Sequence, residues 1–204
     1  DFIREYEITF LIIFSMLVTV VIFYIIYKNR QEKSRLLKRA QRDALTGLLN
    51  KKTTQDMIDS FLEENGKDRC NALMIMDVDY FKQVNDTYGH MVGDKVLKIF
   101  GRLLAKQFRE KDIVGRIGGD EFMVLICNIK DVEIAKGRAK KLIDEVRTLQ
   151  IPELAGSGIT ISVGIAYSPD HGTTFMELYR HADTALYQVK RGGRDGFSVY
   201  EKAN

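Results

Sequence analysis

The stretch from Ile8 to Tyr27, ITFLIIFSMLVTVVIFYIIY, contains no charged residue, and no other feature restricts the fold of this chain as much. As a helix rising about 1.5 Å per residue, a run of this length reaches about 30 Å, the thickness of a hydrocarbon core. A secretory signal peptide is the rival reading. The run is too long for one, Asp1, Arg4, Glu5 and Glu7 do not form a basic leader, and no small-residue cleavage site follows. A buried helix of a soluble domain is a weaker rival still. The expectation is one membrane span over 8–27, with 1–7 as an extracytoplasmic remnant. Lys28, Arg30, Lys33, Arg35, Lys38, Arg39 and Arg42 follow at once, which places that side in the cytoplasm. The sequence begins with Asp1 and not Met, so a fragment or processed product is expected.

The net charge of +3 is largely explained by this basic cluster, which suits phospholipid headgroups beside the span rather than nucleic acid. A merely solvated helix would satisfy the orientation rule equally well. With 204 residues and 45% hydrophobic content, the chain holds one domain of ordinary size behind the appendage. Cys70 and Cys127 sit in apolar, strand-like runs without metal-ligand spacing, and are read as reduced and structural.

Residues 28–42 continue the helix as a juxtamembrane segment, with Leu37, Ala40 and Ala44 as a thin apolar stripe able to pair with a second copy. Gly47 and Asn50 break the pattern, and a helix runs to about Asn65, stopped by NGKD. CNALMIMDV is nearly all apolar, as a strand buried on both faces must be. A short helical piece around Phe81–Asp86, a glycine-punctuated turn at YGHMVGD and an amphipathic helix carrying Val96, Leu97, Phe100, Leu103 and Leu104 come next. Then follow a hairpin over Ile113–Cys127, a helix from about Val132 to Leu149, the strand GITISVGIAYS, a last helix in TTFMELYRHADTALYQVKRGG and the strand GFSVY. The order β-α-α-β-β-α-β-α-β predicts an α+β, ferredoxin-like mixed sheet with flanking helices over 43–204.

The chemistry gathers at two places. GRIGGDEFMVL puts two glycines and two carboxylates at a hairpin tip, where glycine is expected to supply a positive φ. Adjacent carboxylates leading into a buried strand are costly without a cation, although a solvated tip would also carry them. Asp77 and Asp79 stand where the first buried strand ends. Helix capping accounts for Asp79 and poorly for Asp77. If the hairpin pairs beside this strand, Asp77, Asp120 and Glu121 converge as a Mg²⁺ site for nucleoside triphosphate chemistry. The helix start at Tyr80-Phe81-Lys82 offers backbone amides to anions. Lys190, Arg191 and Arg194 beside two glycines are either a phosphate clamp or a basic turn that suits its own helix end.

With DALTGLLNK (43–51), DVDYFKQVNDTYGHMVGD (77–94), GRIGGDEF (115–122), ITISVGIA (159–166) and ADTALYQVKRGGRDG (182–196) in order, the sequence resembles a GGDEF domain, the catalytic module of diguanylate cyclases. The resemblance implies condensation of two GTP into cyclic di-GMP and two pyrophosphates, at the interface of two facing domains in a homodimer. It implies Asp77, the Val78 carbonyl and Asp120 as ligands of Mg²⁺ (or Mn²⁺), with Glu121 a further ligand or an aid in deprotonating the 3′-hydroxyl. Which hairpin carboxylate acts as base stays open. It implies Asn85 and Asp94 as the guanine-reading pair with His90 beside them, Tyr80, Phe81 and Lys82 as amide donors to phosphate, and Lys190 and Arg194 as the clamp. An ionised Asp94 can accept from guanine N1–H and N2–H₂ together, a pair adenine lacks. REKD, Arg109 to Asp112, resembles the family's RxxD site, where product inhibits. Ordinary surface residues at a helix end would look the same. Lys51, Ile117 and Val189 depart from common family residues without touching a metal or base contact. The whole is expected as a single-pass protein of a bacterial cytoplasmic membrane. A nucleotide receptor without turnover, or a tethered dimerisation adaptor, are the other readings; the intact Gly118–Phe122 motif counts against the first and the carboxylate cluster against the second.

Overall fold

The computed structural model describes the backbone of residues 2–65 and 69–202, and within them the side chains other than those of 2–14, 34, 37, 38 and 65. The chain divides into two compact units, Asp1–Gln41 and Arg42–Asn204.

The first unit is one helix, α1 (Phe2–Ala40). Along it Met16, Phe23 and Tyr24 are more than 60% exposed. Among the described residues no helix is long and apolar enough to cross a membrane, and the side chains of 8–14, within the expected span, lie outside those described. The expected pairing stripe is corrected in part. α1 ends at Ala40, so Ala44 falls in the following turn, and the Leu37 side chain lies outside the described set.

The second unit is built around a central strand. α2 (Lys51–Asn65) starts at Asn50, whose side chain accepts from the Thr53 amide at 3.0 Å, the ordinary N-cap bond. Of the expected NGKD stop at 65–68, Asn65 is the last residue of α2, and 66–68 lie outside the described residues. β1 (Cys70–Val78) is buried from Asn71 onward. Its side chains alternate between two cores: Ala72, Met74, Met76 and Val78 face one, Leu73 and Ile75 the other. That alternation is why a continuous apolar run is required.

α3 (Phe81–Tyr88) and α4 (His90–Gln107) follow with only Gly89, at φ 85°, between them. The turn expected across YGHMVGD therefore shrinks to one residue, and His90 to Asp94 are helical. β2 (Ile113–Arg116) and β3 (Glu121–Ile129) form the hairpin. α5 (Val132–Arg147), β4 (Ile161–Ser168), α6 (Phe175–Arg191) and β5 (Gly196–Val199) complete the unit. α6 begins with a full capping box between Thr174 and Glu177.

The sheet order is β2-β3-β1-β4-β5, antiparallel except for the parallel β4–β5 pair. This is the mixed sheet with flanking helices that the element order predicts. One core holds Val96, Phe100 and Leu104 of α4 with Ala139 and Leu142 of α5. The other holds Ile58 and Leu62 of α2 with Leu178, Ala182 and Leu186 of α6. The fully buried Phe100 meets Phe122 edge-on, ring centroids 4.8 Å apart. β1 thus ends in the middle of the sheet edge, with the hairpin tip on one side and the end of α6 near the other.

Candidate active site

The register of β1 and β3 sets the site. Asp77 is paired with Glu121 across the antiparallel ladder, and the Val78 amide donates to the Asp120 carbonyl at 3.2 Å. A strand end and a hairpin tip are therefore held side by side. The tip itself differs from expectation, because neither Gly118 nor Gly119 is among the positive-φ glycines. Gly118 instead leaves room for Glu121: a Cβ there would stand 2.6 Å from Glu121 Oε2, so the flexible Glu121 carboxylate would have to move aside.

Lys190, from the last turn of α6, places its Nζ 2.7 Å from Asp77 Oδ2. Burial pushes the Asp77 carboxyl above its ordinary range, the Lys190 hydrogen bond pulls it down, and the negative charges of Asp120 and Glu121 push it up again. Among the described residues no group of three His, Cys, Asp or Glu side chains is arranged to hold a metal. Asp77, Asp120 and Glu121 still lie at one sheet edge, near enough for the charges of the last two to act on Asp77, which Lys190 engages. The donors at this edge are nonetheless all oxygens, those of Asp77, Asp120, Glu121 and the Val78 carbonyl, and they are short of positive charge. That donor chemistry fits a hard divalent cation.

Tyr80, Phe81 and Lys82 head α3, where amides have no intrahelical acceptor. Tyr80 takes φ 56°, and the Arg194 guanidinium lies over its ring at 4.6 Å. Asp79 does not cap this helix, contrary to expectation. The N-cap is Tyr80, with no side-chain bond, and the Asp79 carboxylate accepts instead from Thr160 and Ser162 hydroxyls at 2.7 Å each.

Asn85 is the most telling of the expected base-reading residues. Its Oδ1 is buried and has no hydrogen-bond partner, a state that costs about 1–3 kcal/mol unless a ligand or water fills it. A Cβ on Gly93 would collide with this atom at 2.0 Å, so glycine keeps the space beside it open. His90 and Asp94 stand one turn apart on α4, both exposed.

Arg109 and Asp112 lie at the other end of the hairpin, about six strand residues or roughly 20 Å along β3 from its tip. Asp112 is not a free ligand. Its side chain is wholly buried and accepts from the Arg109 and Cys127 amides and from Arg138 Nη1 at 2.8 Å. Burial and the Asp112 charge push the Cys127 thiol up to about 12, which leaves it inert.

Sequence reasoning missed three cations. Arg138 completes the Asp112 cluster, and Arg147 chelates Asp195. Arg116 reaches both Asp43 oxygens, at 3.1 and 3.3 Å, and the Gly119 carbonyl with Nη2 at 2.7 Å. An arginine two residues before the glycine pair was the only available signal for Arg116, and nothing local marked the others.

The model of a family described as diguanylate cyclase, GGDEF domain, matches residues 40–196. Among curated proteins of Escherichia coli K12, the probable diguanylate cyclase DgcT is 37% identical over 81% of this chain and 37% of its own length. The cyclic di-GMP phosphodiesterase PdeR is 35% identical over 86% of this chain and 26% of its own. This chain therefore spans only about a quarter to two fifths of the length of these relatives. The solved coiled coil and GGDEF domain of DgcB from Caulobacter crescentus, in complex with c-di-GMP, superposes with a TM-score of 0.78 at 26% identity, covering 85% of this chain and 93% of that one. The GGDEF domain of YfiN from Pseudomonas aeruginosa gives 0.74 at 33% identity, covering 78% and 94%.

Proposed function

The chain belongs to the diguanylate cyclase GGDEF-domain family, and from that premise we propose that it condenses two GTP into cyclic di-GMP and two pyrophosphates. The observation that carries the reading is the pairing of Asp77 with Glu121 at one sheet edge, with Lys190 on Asp77. A triphosphate site needs oxygen donors for a cation and a fixed positive charge within a few ångströms of each other, and this edge supplies both.

Within this reading Asp77, the Val78 carbonyl, Asp120 and Glu121 hold Mg²⁺ or Mn²⁺. A cation held there would neutralise charge on the triphosphate and lower the pKa of the attacking 3′-hydroxyl. Lys190 and Arg194 take the β- and γ-phosphates, and the amides of Tyr80, Phe81 and Lys82 take the remaining oxygens. The unpartnered Asn85 oxygen accepts from the guanine edge, and Asp94 accepts from N1–H and N2–H₂, with His90 beside them. An attacking hydroxyl and its target phosphate come from two nucleotides, so two copies of the chain face each other. Arg109 and Asp112 are assigned to a product-binding inhibitory site, with Asp112 shaping the turn from within and Arg109 meeting the ligand. The apolar, charge-free 8–27 is assigned to a membrane span, with the basic 28–42 on the cytoplasmic side as a signalling helix before the catalytic 43–204.

The test is incubation of the full chain in detergent with GTP and Mg²⁺, followed by chromatographic detection of cyclic di-GMP. Product from the native chain and none from Asp120→Ala supports the cyclase. GTP binding without product would instead favour a nucleotide receptor, and an Arg109→Ala chain that slows at the same product concentration as the native one would refute the inhibitory site.

A further inference from the structure

The loop between α6 and β5 carries two consecutive non-glycine residues in the left-handed region, Arg194 at φ 67° and Asp195 at φ 52°. Such residues are costly and persist only where their surroundings over-determine them. Here the restraint comes from Asp79 and Arg147. The Asp195 amide donates to Asp79 Oδ2 at 3.0 Å, and the Asp195 carbonyl accepts from Arg147 Nη2 at 3.1 Å. Arg147 Nε also reaches both Asp195 carboxylate oxygens, at 3.0 and 3.1 Å, while Nη1 rests on Asp144 at 2.9 Å. Both polar groups of the Asp195 backbone and its side chain are thus gripped.

Asp79 is a firm anchor. It is only 4% exposed, and its carboxylate is fixed to β4 by Ser162 and, just before that strand, by Thr160. On the other side the Arg194 amide donates to the Val189 carbonyl at 2.9 Å. Held at these points, the loop can aim Arg194 in one direction, over the Tyr80 ring with Nη1 3.4 Å from the Tyr80 hydroxyl.

We propose that Asp79 and Arg147 are positioning residues for triphosphate recognition: without touching the nucleotide, they lock residues 194–195 so that the Arg194 guanidinium stands ready at the phosphates. This rests on the GTP reading above. Asp79 then stands apart from Asp77, two residues away on the same strand end, which faces the cation. Arg147 lies on a different helix altogether and extends the determinants of the site to the end of α5.

Steady-state kinetics on the full chain test this, with KM for GTP and the inhibition constant of GMP, which lacks the β- and γ-phosphates, measured together. Arg147→Ala should raise KM for GTP about tenfold, the loss expected when a charge-assisted contact is misplaced, and leave GMP inhibition unchanged. Asp79→Asn, which keeps the shape but removes the charge that strengthens the bonds from the Asp195 amide and two hydroxyls, should act in the same direction with a smaller loss. Arg147→Ala combined with Arg194→Ala should be no worse than Arg194→Ala alone, because both changes remove one interaction. Parallel weakening of GMP, or additive losses in the double variant, would mean a general structural role and overturn the inference. Cyclic di-GMP formation by the native chain with an Arg194→Ala variant of normal KM would also overturn it. A native chain that forms no cyclic di-GMP and is not inhibited or occupied by GTP would fail the functional reading itself.

Discussion

Arg116→Ala cuts a side chain that joins Asp43, near the start of the second unit, to Gly119 at the hairpin tip. The guanidinium makes two contacts to Asp43 and two to the Gly119 carbonyl, and the Arg116 and Asp43 side chains are 14% and 23% exposed. An exposed pair would contribute at most about 1 kcal/mol, and this one is largely shielded. Hydrogen bonds to charged groups contribute about 1.5–3 kcal/mol, so loss of about 2–3 kcal/mol follows, counting the group of bonds once because they share one side chain. In a unit of this size that lowers Tm by about 4–12 °C.

The effect should also depend on pH. Burial pushes the Asp43 carboxyl up, but hydrogen bonds from the Thr46 hydroxyl and amide and from Arg116, with the Arg116 charge, outweigh it and hold the carboxyl below its ordinary range. A depressed folded-state carboxyl contributes stability that is complete above the unfolded value near about 3.9 and is lost as pH falls through the folded value. Arg116→Ala removes part of that depression. The difference in Tm between native and variant chains should therefore be full at pH 7 and shrink below about pH 4. Thermal unfolding followed by circular dichroism between pH 3 and pH 7 reads it directly. A difference below about 0.5 kcal/mol, or one that is the same at every pH, would refute the reasoning.

Further consequences can be checked with simpler assays. Gly93→Ala drives a methyl into Asn85 Oδ1 and to 3.1 Å from the Phe81 ring, so KM for GTP should rise by at least about tenfold while the far-ultraviolet spectrum is kept. Phe100→Ala leaves a cavity under the Phe122 ring and should cost about 3–5 kcal/mol, measured as a fall in the denaturant midpoint. His171 is held neutral by burial, and its Nδ1 accepts from the Tyr167 amide at 3.0 Å. Its folded value is depressed, so the unfolded chain binds the proton first. Stability should then decline as pH falls from about 6.5 through the lower folded value, and His171→Gln should flatten that slope in pH-dependent unfolding.

The fold was legible where a single physical cause dominates a stretch. An all-apolar strand such as β1 has no place except between two cores, and the amphipathic faces of α4 and α6 name the layers that cover it. Five strands and their order in the chain followed from that. The boundaries that shifted were set by local contests: Gly89 alone breaks the helix where two glycines in YGHMVGD had suggested a longer turn. That Asp77 would lie beside the hairpin tip was legible for the same reason, because charge beside a buried strand demands a partner. What the partner is in the free chain was not legible, since Lys190 reaches Asp77 from a helix more than a hundred residues away. Asp79 shows the limit of local rules. Its position invites capping, yet hydroxyls on and just before β4 and an amide after α6 compete for it successfully, and no short-range pattern records that.

The strand order also assigns the site's parts to backbone of very different permanence. Asp77 and Val78 belong to β1, which has an antiparallel neighbour on each side, whereas Arg194 precedes β5, a four-residue edge strand held on one side only. In deuterated solvent the amides of β1 should exchange only through global opening and those of β5 through local fraying, with the Asp195 amide, bonded to the buried Asp79, protected beside it. One rim of the site would then keep its shape for as long as the protein stays folded. The opposite rim is pinned at residues 194–195 by Asp79 and Arg147 but frays beyond them, and nucleotide bound between the rims would register as slowed exchange chiefly in residues 196–199.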